Sequence, residues 1–200
     1  LTELYVSKNQ LTSLDVSKNT ALIALVVTAN QLTSLDVSKN TALTRLHVYL
    51  NQLTSLAVSK NTALTDLLVY QNQLTSLDVS KNTALIKLNV SKNQLTSLDV
   101  SKIIALMDFA VDENPNLTCI QVNQTQIVNP PIAWFKDFTQ TYSTDCTPRT
   151  HIPDANFRNA LINHDPSLIN ITEADFNEEN EIATFRISAI TSLFLDVGSI

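Results

Sequence analysis

A 21-residue repeat that fills residues 1–117 constrains the fold of this chain more than any other feature. Each unit has a ten-residue half, such as LTRLHVYLNQ at 43–52, and an eleven-residue half, such as LTSLDVSKNTA at 32–42. Both halves carry apolar residues at positions 1, 4 and 6, and nearly all carry asparagine at position 9. Because internal repeats of this length are typical of solenoids, we expect the units to stack as successive coils.

Positions 4 and 6 of each half have the spacing of a β-strand, so their side chains point to the same side. A single half cannot bury that side alone, whereas stacked coils place Leu on Leu and Val on Val at about 4.8 Å per coil. The asparagines at position 9 of the ten-residue halves are predicted to form an inward ladder that bonds backbone groups at the turns. The residues of this ladder are Asn9, Asn30, Asn51, Asn72 and Asn93.

The pattern LxxLxLxxNxLxxLxLxxNxx resembles the bacterial class of nested 21-residue leucine-rich repeats. The resemblance covers more than half of the chain and recurs in five units. It implies a leucine-rich repeat solenoid with a parallel sheet on one side and small helical caps. Members of that family are mostly secreted or surface-attached recognition proteins, so the resemblance implies a bacterial protein in one of those two places.

Residues 118–150 change character and are predicted to cap the array. A Pro-Pro break at 130–131 precedes the segment 132–138, IAWFKDF, which we expect to form a short helix. The segment resembles the C-terminal cap of bacterial leucine-rich repeats, in which two cysteines bracket a tryptophan-containing stretch. The resemblance implies a disulfide between Cys119 and Cys146, and such a bond is typical of an oxidising compartment.

Residues 151–200 form a third segment, in which IPDANF at 152–157 opens a predicted amphipathic helix. This motif resembles the N-terminal cap of the same family, where it precedes the repeats; here it follows them. The last eleven residues, ITSLFLDVGSI, align with the eleven-residue half without a gap, which puts Leu193 and Leu195 at core positions 4 and 6. Ile200 would then lead in register into Leu1.

Three explanations of this order compete: a circular permutant, a segment cut across tandem domains, and a protomer whose 151–200 segment docks on a neighbour. Folding that segment back onto Leu1 of the same array would need nearly the full extended reach of the connecting chain. We therefore predict a homo-oligomer, as a swapped dimer or a head-to-tail filament. Its contacts would join Leu193, Leu195 and Ile200 to the bare apolar coil at Leu1, Leu4 and Val6.

Variation among the repeats is concentrated on one predicted face. The eleven-residue halves of the array depart from consensus at only Ala57, Ile103 and Ile104, whereas the ten-residue halves vary at positions 3, 5, 7 and 8. Positions 3 and 5 flank the inward positions and therefore point outward. Stacking makes them one surface, which is apolar and aromatic at its centre with charges beside it, as in protein-binding hot spots. The predicted partner-binding residues are Glu3, Tyr5, Val26, Arg45, His47, Tyr49, Leu50, Asp66, Leu68, Tyr70, Gln71, Lys87 and Asn89.

Two functional hypotheses remain for this surface. Neutral drift would produce mostly polar replacements and would affect the outward positions of both halves equally. The observed replacements are instead concentrated in the ten-residue halves and include apolar and aromatic residues, so we favour a protein-binding recognition module. The alternative is a structural self-assembling or adhesive repeat protein linked through its caps.

Composition argues against several other classes. A single glycine, Gly198, excludes glycine-rich phosphate loops and the G-x-S-x-G nucleophile elbow. A net charge of −6 argues against nucleic acid as the partner, and no apolar run is long enough to span a membrane. We find no nucleophile–base pair and no metal-ligand spacing, so we predict no enzyme, no catalytic residues, no metal and no cofactor.

Overall fold

The structure, a computed structural model, describes residues 1–147 and the backbone of residues 149–151 and 181–183. The chain divides into two units, Leu1–Asp145 and Cys146–Ile200. The first unit is a parallel β-solenoid with turns of about 21 residues, so the predicted fold is confirmed. The predicted helix opening at 152 and the assembly residues Leu193, Leu195 and Ile200 lie outside the described residues.

The ten-residue halves form the long sheet of the solenoid. Positions 3 to 5 of each half are extended, and each strand pairs in parallel with the same positions one coil away, as Arg45 pairs with Asp66. Two further strands follow at its far end, one in residues 106–115, which form a sixth and degenerate ten-residue half, and one in the cap region. The described part of the chain thus has a seven-stranded sheet. Its strands are, in their order across the sheet, β1 Glu3–Tyr5, β2 Ala24–Val26, β3 Arg45–His47, β4 Asp66–Leu68, β5 Lys87–Asn89, β7 Asp108–Ala110 and β9 Ala133–Phe135.

The eleven-residue halves run along the opposite side, and in the described array only the last of them, 95–105, contains a regular strand, β6 Leu98–Asp99. It forms the short sheet with two strands of the cap region, β8 Cys119–Gln121 and β10 Thr141–Ser143, in the order β10-β8-β6. In the preceding coils the same positions keep their leucine and valine inside without strand pairing: Leu56 is 7% exposed and Val58 1%. Core packing, together with hydrogen bonds from position-9 asparagines such as Asn61 to the preceding coil, therefore holds this side of those coils.

The core is the stack of apolar residues that the repeat predicts. In the coil of β3, Leu43, Leu46 and Val48 are all fully buried, and the neighbouring coils repeat this arrangement. Burying a leucine or valine side chain contributes about 1.5–3 kcal/mol, so several such residues in every coil provide the main stabilisation of the solenoid.

The asparagines at position 9 of the ten-residue halves form the predicted inward ladder. Asn51 donates from Nδ2 to the carbonyl oxygens of Val48 and Val27, both at 3.0 Å, and its Oδ1 accepts the N–H of Leu32 at 3.0 Å. From Asn30 onward, each asparagine thus closes its own turn and joins it to the coil before, whereas Asn9 of the first coil bonds only within its own turn. The structural role expected for this ladder is confirmed by these bonds.

Position 8 of each ten-residue half, just before the ladder asparagine, adopts a left-handed backbone conformation. Its φ is 53° at Ala29, 58° at Leu50 and 53° at Gln71. This region costs an L-residue roughly 1–2 kcal/mol, and glycine is the residue that enters it freely. The repeats place glycine at none of these turns, so each coil carries this strain.

The cap region differs from the expected helix at 132–138. That prediction was wrong: residues Ala133–Phe135 form β9, which extends the long sheet by pairing with Asp108–Ala110. The sheet edge at β7 offers unpaired backbone groups, and β9 satisfies them. The helix lies earlier, as α1 Gln124–Val128, and starts with a capping box between Asn123 and Gln126.

Aromatic packing and a disulfide complete the cap. Trp134 packs edge-on against Phe109 at 5.1 Å and against Tyr142 at 5.3 Å. Cys119 and Cys146 are disulfide-bonded, as the sequence resemblance implies. In the second unit, β11 Arg149–His151 pairs antiparallel with β12 Glu181–Ala183.

Candidate functional site

The outward face of the long sheet consists of rows, each built from one position of the ten-residue halves. Strand pairing aligns the position-3 residues with one another and the position-5 residues with one another, as for Ala24 with Arg45 and Val26 with His47. The alternation is visible in β3, where Leu46 is fully buried while the residues on both sides of it reach the surface. The predicted partner-binding residues therefore lie side by side on one continuous surface.

Charged residues of opposite sign alternate along the position-3 row. Arg45 Nε lies 3.8 Å from Asp66 Oδ2, and Lys87 Nζ lies 2.6 Å from Asp108 Oδ2. The hydrogen bond with Asp108 raises the pKa of Lys87. These side chains are partly exposed, so each pair adds little stability, but together they cancel the charge of this edge of the face.

His47 connects the charged row to the centre of the face. Its Nε2 lies 2.9 Å from Asp66 Oδ2, and its ring centre lies 6.4 Å from that of Tyr49. This contact fixes the imidazole at the surface, with 18% of the side chain exposed.

Tyr49 and Tyr70 occupy position 7 of adjacent coils and stack on each other. Their ring centres are 4.3 Å apart and the planes differ by 10°. Burial, together with the neighbouring Tyr49, raises the pKa of Tyr70. Leu50, at position 8 beside the pair, is 42% exposed, and Leu68 is half-buried. We call Tyr49, Leu50, Leu68 and Tyr70 the central patch.

The remaining predicted residues surround the central patch. Towards the first coil, Tyr5 is 55% exposed and donates its hydroxyl to Glu3 Oε2 at 3.0 Å, and Val26 is half-buried. Towards the cap, Gln71 is exposed and Asn89 is half-buried. All thirteen positions chosen from the sequence thus reach the same surface to some degree.

A groove of about 530 Å³ continues the face beyond the central patch, and sequence reasoning missed most of its residues. Ala110 and Asp112 hold positions 5 and 7 of residues 106–115, the sixth and degenerate ten-residue half, which the predicted face does not include. Phe135 and Lys136 come from β9 and the residue after it, where the sequence has no repeat signal. Only the pairing of β9 with β7 brings them to this surface.

The first coil is less protected than those that follow. Leu1 is 67% exposed, and Leu4 and Val6 are half-buried, whereas Leu25 and Val27 one coil later are fully buried. These are the three residues that the sequence predicts as one side of an assembly contact.

The described residues contain no group of three or more His, Cys, Asp or Glu side chains arranged to hold a metal ion. No helix in this part of the chain has the length and apolar character needed to cross a membrane.

The solved structures that resemble the chain include two from Listeria monocytogenes. The functional domain of InlJ, described as including a cysteine ladder, is 36% identical over 62% of this chain and 30% of its own length, with a TM-score of 0.52. An internalin, InlF, is 25% identical over 67% of this chain and 39% of its own, with a TM-score of 0.47. The chain thus spans about a third of the length of either structure. No protein-family model matches the sequence, and neither does any curated protein.

The repeat pattern, the stacked 21-residue coils with their asparagine ladder and the similarity to the InlJ domain agree with one another. They show a parallel β-solenoid with turns of about 21 residues, consistent with a bacterial leucine-rich repeat protein.

Proposed function

We propose that the chain is a protein-binding module and that its partner contacts the outward face of the long sheet, centred on the central patch. The observation that carries the proposal is the stacked pair Tyr49–Tyr70 beside the exposed Leu50. Aromatic and leucine side chains grouped at the centre of a surface with polar surroundings are typical of interface hot spots. The similarity to internalin repeat structures supports a protein-interaction role in general.

The charge pattern supports the same assignment. Arg45, Asp66, Lys87 and Asp108 form ion pairs within the face, so a partner does not have to supply countercharges for them. Affinity would then come mainly from apolar contact at the central patch, and we expect it to depend weakly on salt.

The test is a triple variant, Tyr49→Ser, Leu50→Ser and Tyr70→Ser, measured against a partner purified by affinity to the wild-type chain. We expect the Kd to rise at least 100-fold, because the three anchors supply the apolar core of the contact. Loss of the tyrosine stack should lower the free energy of unfolding by only about 0.5–1.5 kcal/mol for the ring pair, so the variant stays folded.

A matched control carries three substitutions on the opposite side of the solenoid, Ser34→Ala, Ser55→Ala and Ser76→Ala, where all three side chains are exposed. This variant should bind the partner with unchanged Kd. Equal losses of affinity in the two triple variants, or unchanged affinity in the first, would reject the outward face as the binding surface.

A second candidate function is self-assembly through the first coil. It is supported by the exposure of Leu1 and by the sequence of residues 190–200, which repeats the eleven-residue half that would precede this coil. Light scattering of the chain should give a mass above that of one protomer at micromolar concentration, and Leu4→Glu should reduce it. A mass of one protomer for the wild-type chain contradicts this candidate.

We propose a secreted or cell-surface location for the protein. The disulfide between Cys119 and Cys146 supports it, because such bonds persist mainly in oxidising compartments. Fractionation of the producing cells, with the thiols blocked at lysis, should find the oxidised chain outside the cytoplasm; a reduced cytoplasmic chain contradicts the proposal.

A further inference from the structure

The groove at the cap end of the outward face has aromatic walls and a floor of small side chains. Tyr70 lines it from the coil of β4, and Phe135 lines it from β9. Between these two walls lie Asn89 and Ser91 from the coil of β5, and Ala110 from β7. At about 4.8 Å per strand, the backbones of the two walls are about 14 Å apart. The volume of about 530 Å³ is within the usual range for side-chain and ligand pockets.

The depth of the groove follows from one small residue. In the position-5 row, Leu68 and His47 project from earlier strands, but the same place on β7 is occupied by Ala110. Next along the row comes Phe135, which is 62% exposed. An alanine between large neighbours leaves a recess, and the faces of the flanking rings remain accessible from it.

The charged side chains at the rim already have partners. Lys92 Nζ lies 3.1 Å from Glu113 Oε1, and Lys136 Nζ donates to the backbone carbonyl oxygen of Gln140 at 2.6 Å. Asp112 accepts a hydrogen bond from the Ser91 hydroxyl at 2.5 Å. A charged ligand entering the groove would lose hydration without gaining a free countercharge, which favours a neutral occupant.

We propose that this groove is an anchor pocket for a neutral aromatic side chain of a protein partner. The inference rests on the proposed function and names part of the chemistry of its ligand. An aromatic ring fits because Tyr70 and Phe135 offer ring faces and edges for stacked or edge-on contact, and the polar floor can accept the N–H of an indole. The pocket adds a second anchor beside the central patch.

The probe is N-acetyltryptophanamide, titrated into the ¹⁵N-labelled full chain and followed by NMR. We expect the backbone amide signals of Asn89, Ser91 and Ala110 to shift, with a Kd in the millimolar range. Benzoate and benzylamine, which carry an aromatic ring and a charge of either sign, should bind at least ten times more weakly. N-acetylleucinamide should do the same, since it lacks the ring. Equal binding by these probes, absence of binding, or shifts confined to other coils overturns the proposal.

Two variants test the geometry. Ala110→Leu fills the recess and Phe135→Ser removes one wall, so each should weaken binding of N-acetyltryptophanamide at least tenfold. Their matched controls are Ala57→Leu, in a hollow of about 280 Å³ on the other side of the solenoid, and Phe138→Ser, at a 96% exposed position that does not line the groove. The controls should bind as the wild type does. Equal effects in variants and controls contradict the proposal, and a retained thermal transition shows that each variant is folded.

Failure of the pocket and failure of the proposed face give different results. The variant Leu50→Ser changes neither a residue that lines the groove nor the ring stacked on Tyr70, so it should bind the probe normally while its affinity for the protein partner falls. If it keeps full affinity for the partner, the central patch is not the interface; the pocket is tested separately, by binding of the probe. If the probe fails to bind the wild type and Leu50→Ser still loses the partner, the face stands without the pocket.

Discussion

Replacing asparagines from the two ladders of the solenoid should have very different costs. Asn51 represents the ladder of the ten-residue halves, and Asn61 holds position 9 of an eleven-residue half in the same coil. Both side chains are buried. We compare the variants Asn51→Leu and Asn61→Leu, since leucine has nearly the shape of asparagine and forms no hydrogen bonds.

The Asn51 side chain makes four hydrogen bonds. Three run from Nδ2 to carbonyl oxygens, at 3.0, 3.0 and 3.4 Å, and the fourth brings the N–H of Leu32 to Oδ1. Each bond contributes about 1 kcal/mol net, and loss of the last one strands a buried donor at a cost of about 1–3 kcal/mol. Asn51→Leu should therefore lower the free energy of unfolding by about 4–6 kcal/mol.

The Asn61 side chain makes two hydrogen bonds, to the carbonyl oxygens of Val37 and Asn40, and its buried Oδ1 has no partner among the described residues. Both carbonyl groups also accept backbone N–H groups, so neither is stranded by the substitution. Losing about 2 kcal/mol of bonds is offset by removing an unsatisfied acceptor. We expect Asn61→Leu to cost about 0–1 kcal/mol, and Ile103, fully buried at the equivalent place, already has an aliphatic side chain there.

Urea unfolding followed by circular dichroism measures both costs, with the slope m compared to detect any change in the unfolding transition. A difference of about 3 kcal/mol or more between the two variants is expected. Costs within 1 kcal/mol of each other would refute the reasoning, because they would mean that the number of bonds and the stranded donor do not set the contribution of a ladder residue.

Three further predictions concern single sites in the array and the cap. Ala29→Gly should raise the free energy of unfolding by about 0.5–1 kcal/mol, because φ at this position is 53° and glycine removes the left-handed strain; Ala42→Gly, outside the strained turns, should lower it instead. Tyr142→Phe should raise the free energy of unfolding by about 1 kcal/mol, because the buried hydroxyl has no hydrogen-bond partner in the described structure. Burial also raises the pKa of this hydroxyl to about 12. A clearly lower melting temperature of the variant would show instead that the hydroxyl is satisfied. Hydrogen bonds from the N–H and hydroxyl of Ser38 lower the pKa of Asp36 below its ordinary value of 3.8. The ionised carboxylate therefore stabilises the fold above pH 3.8, and this stabilisation is lost as the pH falls through the lowered pKa of the folded state. The melting temperatures of the wild type and Asp36→Ala should therefore differ at pH 7 and converge as the pH falls below the lowered pKa, and a constant difference would contradict this.

The repeat by itself determined the solenoid, because the period of 21 residues and the inward positions 4 and 6 admit few other ways to bury the leucines. It also determined which side chains share a surface, since strand alternation and in-register stacking are local rules that apply equally to every coil. Tyr49 and Tyr70, like Arg45 and Asp66, lie 21 residues apart and are neighbours on that surface for this reason, whereas the ring stack and the ion pair themselves are seen only in the structure.

Only the tertiary structure decided features that depend on the surroundings of a residue. The two asparagine ladders have the same sequence signature, but only one offers its Oδ1 a backbone donor, and that depends on the path of the neighbouring coil. In the cap, local sequence suggested a helix at 132–138, whereas the open edge of β7 recruits Ala133–Phe135 as a strand. That pairing places Phe135 on the outward face and creates the groove beside Ala110. A non-repeating segment carries no internal copy to reveal its register, so its position follows from the edge it has to cover.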